Sequence, residues 1–200
     1  MGHADLPPDT LEVVERELRV RLERLGDTAP GLVRAGSGLA AAFGRAVRAS
    51  GRRLVVLLPA RQALPAALPP PSLGPAREVT ALAEEVRLLP YDPGDRDACI
   101  SADEKLITQC GRLLAVWDGS PSNGVDATAH MVAYARARGV PVEVVWPADA
   151  SRAAVAPMPG RAGARRGANR PGALRGTFPG RTAHRNATVP RPARQEGGLR

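Results

Sequence analysis

The chain has 200 residues, 21 of them glycine and 20 proline, and a formal net charge of +8 that is unevenly spread. Of its 28 basic residues, 11 fall in 151–200, where Glu196 is the only acid, so that segment carries +10 while Met1–Ala150, with 17 basic and 19 acidic residues, carries −2. This excludes a chain that is basic and nucleic-acid-binding throughout, and the lack of any long apolar run or signal-like start excludes a membrane span and a secretory leader, so a cytoplasmic protein is expected.

Leu11, Val14, Leu18, Leu22 and Leu25 recur with the period of an amphipathic helix, which predicts a helix over Thr10–Leu25 with Asp9 or Thr10 as cap and Gly26 as stop. A short strand, Leu32–Ala35, runs into Gly36-Ser37-Gly38 and a small-residue helix over Leu39–Ala49. Leu54–Leu58 is apolar throughout, the mark of a strand buried on both faces. The proline-rich stretch Arg61–Pro75 predicts a loop, followed by a short helix over Val79–Glu85 and a strand over Val86–Leu89. A helix over Arg96–Gln109, a buried strand over Leu113–Trp117, a helix over Asp126–Arg138 and a last strand over Val140–Trp146 complete the order.

Alternating strands and helices imply α/β architecture with a doubly wound, mostly parallel sheet, whose βα loops gather at one edge. After Ala150 glycine and proline interrupt the chain too often for any element to form. With little apolar surface to offset ordering, 151–200 is expected to be a disordered Arg/Gly/Pro-rich tail. Such an arm can bind nucleic acid through phosphate contacts, or be a charged extension without function. Cys99 and Cys110 lack the partners of a zinc site or a disulfide framework and read as packed, reduced thiols. Lys105 stands alone against 27 arginines, so arginine abundance by itself carries little information.

The segment from Leu113 to Trp146 is the most informative: a buried strand enters Asp118-Gly119-Ser120, a small-residue loop follows through Gly124, and a helix starts at Asp126–Thr128. Small residues admit close approach of a ligand and a helix start offers N–H groups to an anion; an ordinary βα turn capped by Asp126 or Ser122 is the alternative. The full pattern W-D-G-x-P-x-x-G-x-x-A-T-A-H-x-V-A-Y-A-R-x-R-G-V-P-V, preceded by L-P-Y-D-P-G-D-R-D-A-C-I and R-L-V-V-L-L-P-A, resembles the SLOG superfamily of Rossmann-like proteins, and within it an actinobacterial branch. The resemblance spans Gly2–Pro147 and is weaker toward the cytokinin-activating phosphoribohydrolases and the DNA-processing protein A family.

The resemblance implies a nucleotide-like ligand at the C-terminal ends of the strands. Gly36, Ser37 and Gly38 match its first glycine-bearing loop, and Asp118, Gly119, Gly124, Ala127 and Thr128 match the phosphate-loop region. Gly2-His3-Ala4-Asp5-Leu6 matches a G-H-x-D-L that follows a first strand, and that strand is missing here: either translation begins upstream of Met1 or the sheet has lost a strand. The phosphoribohydrolases carry a catalytic Glu where this chain has Met131, so their glycosidic chemistry does not transfer.

Among the remaining candidates, Arg61 and Arg96 suit phosphate contact, and Asp118 suits ribose hydroxyls or a Mg²⁺ arriving with a nucleotide. His130, one turn from Tyr134, is the candidate acid or base. Trp117 and Trp146 read as packing rather than stacking platforms. The expected function is binding or sensing of a nucleotide-like small molecule. The alternatives are a hydrolase of N-glycosidic or phosphate bonds acting through Asp118, Asp126 and His130, and a nucleic-acid-associated protein acting through the tail. A homo-oligomer is compatible with each.

Overall fold

The computed structural model describes residues 1–123 and 126–153; of the tail expected over 151–200 only Ser151–Ala153 are described, and 154–200, like Gly124, lie outside the described residues. Within them the fold is mixed α/β with five helices and mostly parallel strands: α1 Pro8–Arg24, β1 Gly31–Arg34, α2 Gly38–Ala49, β2 Leu54–Arg61, β3 Leu64–Pro65, α3 Pro70–Leu82, β4 Glu85–Pro90, α4 Arg96–Thr108, β5 Leu113–Val116, α5 Thr128–Ala137 and β6 Val142–Val145. No described helix is long and apolar enough to cross a membrane.

The strands form two sheets. β2 lies between β1 and β4, parallel to both, while β5 and β6 pair parallel to each other. The continuous apolar run of β2 follows from that central place, with Leu54, Val55 and Val56 almost fully buried. No strand precedes α1 among the described residues. In its place Gly2 makes a single parallel bridge to Val116 on the free edge of β5.

α1 buries Val14, Leu18 and Leu22, the stripe its periodicity predicts. Its start differs from expectation: Pro7 is the N-cap and Pro8 opens the helix, with no side-chain cap. Thr10 is inside the helix, and its hydroxyl donates to the Ser151 carbonyl at 3.0 Å and accepts from the Ser151 N–H at 3.0 Å. The far end of α1 is closed by Arg52, whose guanidinium donates to the Leu22 and Leu25 carbonyls at 3.0 and 2.9 Å.

The expected loop over Arg61–Pro75 is instead a hairpin and the first half of a helix. Arg61 and Leu64 pair antiparallel across Gln62 and Ala63, both at positive φ (51° and 64°), the backbone of a tight two-residue turn. α3 then begins at Pro70 with Pro69 as N-cap. Prolines there forfeit only N–H groups that a first turn leaves without a helical partner, so they start the helix rather than break it. The helix expected over Val79–Glu85 is the end of α3, and Glu85 already belongs to β4.

Gly44 lets α2 press onto this layer: a Cβ there would stand 3.0 Å from Val79 Cγ2 and 3.1 Å from Leu54 Cδ2. Gly44→Leu is therefore expected to destabilise by about 2 kcal/mol through overpacking, measured by urea denaturation. A second apolar cluster, with Ile107, Leu113, Ala115, Met131, Val132 and Ala135, joins α4, β5 and α5.

Candidate functional site

The C-terminal ends of the parallel strands carry most of the residues singled out above, in two groups. The first lies after β5. Trp117 Nε1 donates to the Ser120 carbonyl at 2.8 Å, Gly119 takes φ +87°, and the Ser120 N–H donates to Asp118 Oδ1 at 2.8 Å, which closes a tight loop. α5 starts at Thr128 rather than Asp126, with Ala127 as N-cap. Asp126 accepts the Thr128 N–H at 2.7 Å and Ser122 Oγ accepts the His130 N–H at 2.9 Å. Donors at this helix start are thus engaged by the protein's own side chains, one of them an anion.

His3 is the centre of this group, and sequence reasoning did not select it. It is 1% exposed. Its Nε2 lies 2.9 Å from Asp118 Oδ1, its Nδ1 contacts Asp126 Oδ2, and its ring meets the Trp146 edge at a centroid distance of 5.6 Å. Arg152 closes the cluster from the far end of the described chain: its Nε and terminal nitrogens reach Asp5 at 2.9 to 3.1 Å, Asp126 at 3.3 Å and Asp118 at 3.8 Å. Ser151 on Thr10 and the Ala153 N–H on the Asp5 carbonyl at 2.8 Å strap this segment to the start of the chain.

These contacts set the charges. Burial pushes the Asp118 carboxyl up, but hydrogen bonds from Ser120 and His3 outweigh it and hold the group down at about 2. Asp126 is raised by burial and lowered more by its bonds from Thr128 and His3, ending below the ordinary carboxylate range. His3, Asp5 and Asp126 bring ligand atoms within 4.8 Å of one another, a spacing that could hold a metal ion. The Arg152 guanidinium, however, already stands among those carboxylates. A Mg²⁺ would have to displace it, so the residues do not fit a resident metal.

The second group lies after β1. Gly36 has φ +142°, which disfavours any L side chain, and Ser37 caps α2 by accepting the Ala40 N–H on Oγ at 3.3 Å. Gly36 and Ser37 line a cavity of about 570 Å³ together with Ser72, Pro93, Arg34 and Asp103. Gly38 does not; it faces α1, where a Cβ would meet Leu11 at 2.9 Å. Arg34, also missed in the sequence, makes a two-pronged pair with Asp103 at 2.7 and 3.0 Å and lies over the Tyr91 ring at 5.4 Å. Burial alone would lower the Arg34 guanidinium, but Asp103 holds it above its ordinary value. The buried Tyr91 hydroxyl has no hydrogen-bond partner among the described residues.

The remaining candidates stand apart from the cavity wall. Arg61 is 74% exposed and pairs with Asp92 at 3.1 Å; Arg96 donates to the Asn123 carbonyl at 3.0 Å. His130 is 48% exposed and pairs with Glu104 at 2.8 Å, one turn from Tyr134. Met131 is buried in the second core cluster. Trp117 packs against that cluster and Trp146 against the first. Burial raises both thiols above their ordinary range, and both are free. The chain matches no protein-family model and no curated protein.

Proposed function

We propose that this chain is a binding or sensing module for a small nucleotide-like ligand, seated at the C-terminal ends of its parallel strands on a Rossmann-like, SLOG-type fold. The observation that carries the reading is the cavity of about 570 Å³ that opens at the Gly36–Ser37 turn. Its volume is that of a small-molecule site, and its wall combines apolar side chains with polar ones, Arg34, Ser37, Ser72 and Asp103 near Gly36 and Asp27, Arg52 and Arg112 elsewhere. At the Gly36 end the first turn of α2 suits an anionic group, and a side chain on Gly36 would meet Ser72, 3.9 Å from its Cβ position.

Binding is favoured over turnover because the groups suited to acid or base work are engaged with each other. His130 pairs with Glu104 outside the cavity wall, Asp118 and Asp126 are tied to His3 and Arg152, and Met131 supplies no carboxylate. The nucleic-acid reading rests on the tail over 151–200, of which 154–200 lie outside the described residues. Calorimetry across a nucleotide panel, with product analysis on the same samples, tests the proposal. Heat without product is expected, weakened at least tenfold (about 1.4 kcal/mol) by Gly36→Val. Product formation abolished by His130→Ala would establish the hydrolase instead, and neither heat nor product from folded protein removes the nucleotide reading.

A further inference from the structure

The strand β4 is a sheet edge that the fold leaves uncovered. On one side it pairs in parallel with β2, and among the described residues no strand pairs with its other side. Its apolar side chains are uncovered too. Val86 and Leu88 are 44% and 43% exposed, although their ladder partners Val56 and Leu58 lie in or against the core that α3 closes with Ala76 and Val79. An edge of this length with apolar side chains in water is a template for another strand.

The main chain decides which residues can receive one. β1 gives the N–H groups of Gly31 and Ala35 to Arg53 O and Leu57 O, at 2.9 and 3.0 Å, so the odd-numbered residues of β2 face β1. Val56 and Leu58 face β4, as does Leu54, whose carbonyl accepts the Glu84 N–H at 3.0 Å. Val56 stands opposite Val86 and in a parallel ladder bonds to the residues on either side of it, Glu85 and Arg87. The N–H and C=O groups of Val86 and Leu88 therefore point away from the sheet. Pro90 stands on that outer side as well, where its missing N–H costs the sheet nothing.

Charge selects the occupant and its register. Glu85 and Arg87 share the other face of β4, both half-exposed, and bond to each other at 2.6 Å. A strand that presents an acid and a base two residues apart is complementary to itself when run antiparallel, as a two-fold interface requires. The two-fold axis can pass through Leu88, Arg87 or Val86 with outward-facing residues opposed. With Leu88 on the axis, Val86 meets Pro90, which has no N–H to give. With Arg87 on the axis, two arginines stand face to face. With Val86 on the axis, Glu85 of each copy stands opposite Arg87 of the other, Val86 meets Val86, and each Leu88 lies diagonal to Val86 of the other copy. Glu84, then opposite Leu88, is held by Arg48 of its own copy. Only this last register pairs unlike charges.

We propose that β4 pairs antiparallel with β4 of a second copy of this chain, about a two-fold axis at Val86, so that two sheets join into one. β2 lies between this edge and the cavity at Gly36–Ser37, so the dimer goes beyond the nucleotide reading and does not depend on it.

Sedimentation velocity on the full chain, from micromolar to submillimolar concentration, should show a monomer–dimer equilibrium. Arg87→Glu sets an acid opposite Glu85 and should weaken dimerisation at least tenfold, and adding Glu85→Arg restores unlike pairs and should bring it back. Neither side chain is buried, so thermal unfolding of both variants should stay near the parent's. Cross-linking reads the register. Val86→Cys places two thiols across the axis, on Cα atoms about 5.5 Å apart, and should form an intermolecular disulfide under mild oxidation. Leu88→Cys, displaced from its counterpart by roughly 13 Å along the strand, should cross-link no more than the parent, whose own thiols are the control. A monomer at every concentration, a dimer indifferent to Arg87→Glu, a double swap that fails to restore it, or equal cross-linking at positions 86 and 88 would each overturn the proposal.

Discussion

Replacing His3 by alanine is expected to cost about 3 kcal/mol of unfolding free energy at pH 7, measured by urea denaturation. The imidazole lies buried between Asp118 and Asp126, and removing it takes a hydrogen-bond partner from each carboxylate and leaves a gap against Trp146. The loss should depend on pH. Asp118 titrates at about 2 when folded, below the ordinary value of about 3.9, so folding favours its charged form. Its contribution, on the order of 2 kcal/mol, is complete above about pH 4 and lost as the pH falls toward 2. Without His3 that downward pull weakens, the carboxyls take up protons at higher pH, and the gap between variant and parent should narrow on acidification. A gap constant from pH 7 to 3 would mean that His3 acts only by packing against Trp146.

The cluster around His3 also explains why this region was hard to read in advance. Asp118 and Asp126 announced themselves by standing at a strand end and before a helix, but what binds them comes from the two ends of the described chain, His3 and Arg152. No local pattern links residues so far apart. The available signal is the spacing of His3 and Asp5, two apart in the Gly2–Leu6 stretch that resembles a family motif.

Arg34 was hidden differently. With 27 arginines in the chain, one at the end of a short strand carries little weight until its partner Asp103 is placed opposite it. The strands β2 and β5 were legible because a continuous apolar run has few alternatives to a buried strand, and α1 because its stripe holds period over four turns. α3 is hard to read from sequence because it is rich in proline, yet Pro69–Pro71 at the N-cap and first turn cost no helical hydrogen bond and only Pro75 stands inside the helix.

Arg34→Met is expected to lose about 3 kcal/mol, since it strands Asp103, only 9% exposed, without its two-pronged partner. The double variant Arg34→Met/Asp103→Leu should recover most of that loss, because two apolar side chains of similar size fill the same space without a desolvation cost. A coupling energy above about 1.5 kcal/mol in the double-mutant cycle would establish the pair as one unit, and additive losses would contradict it. The double variant then addresses function without the confusion of unfolding. Arg34 and Asp103 stand in the wall of the cavity that Gly36 and Ser37 open. A nucleotide-like ligand seated there loses its nearest charged groups, so its affinity should fall at least tenfold while urea denaturation stays close to the parent's. Unchanged affinity in that folded, uncharged variant would move the ligand away from the end of β1.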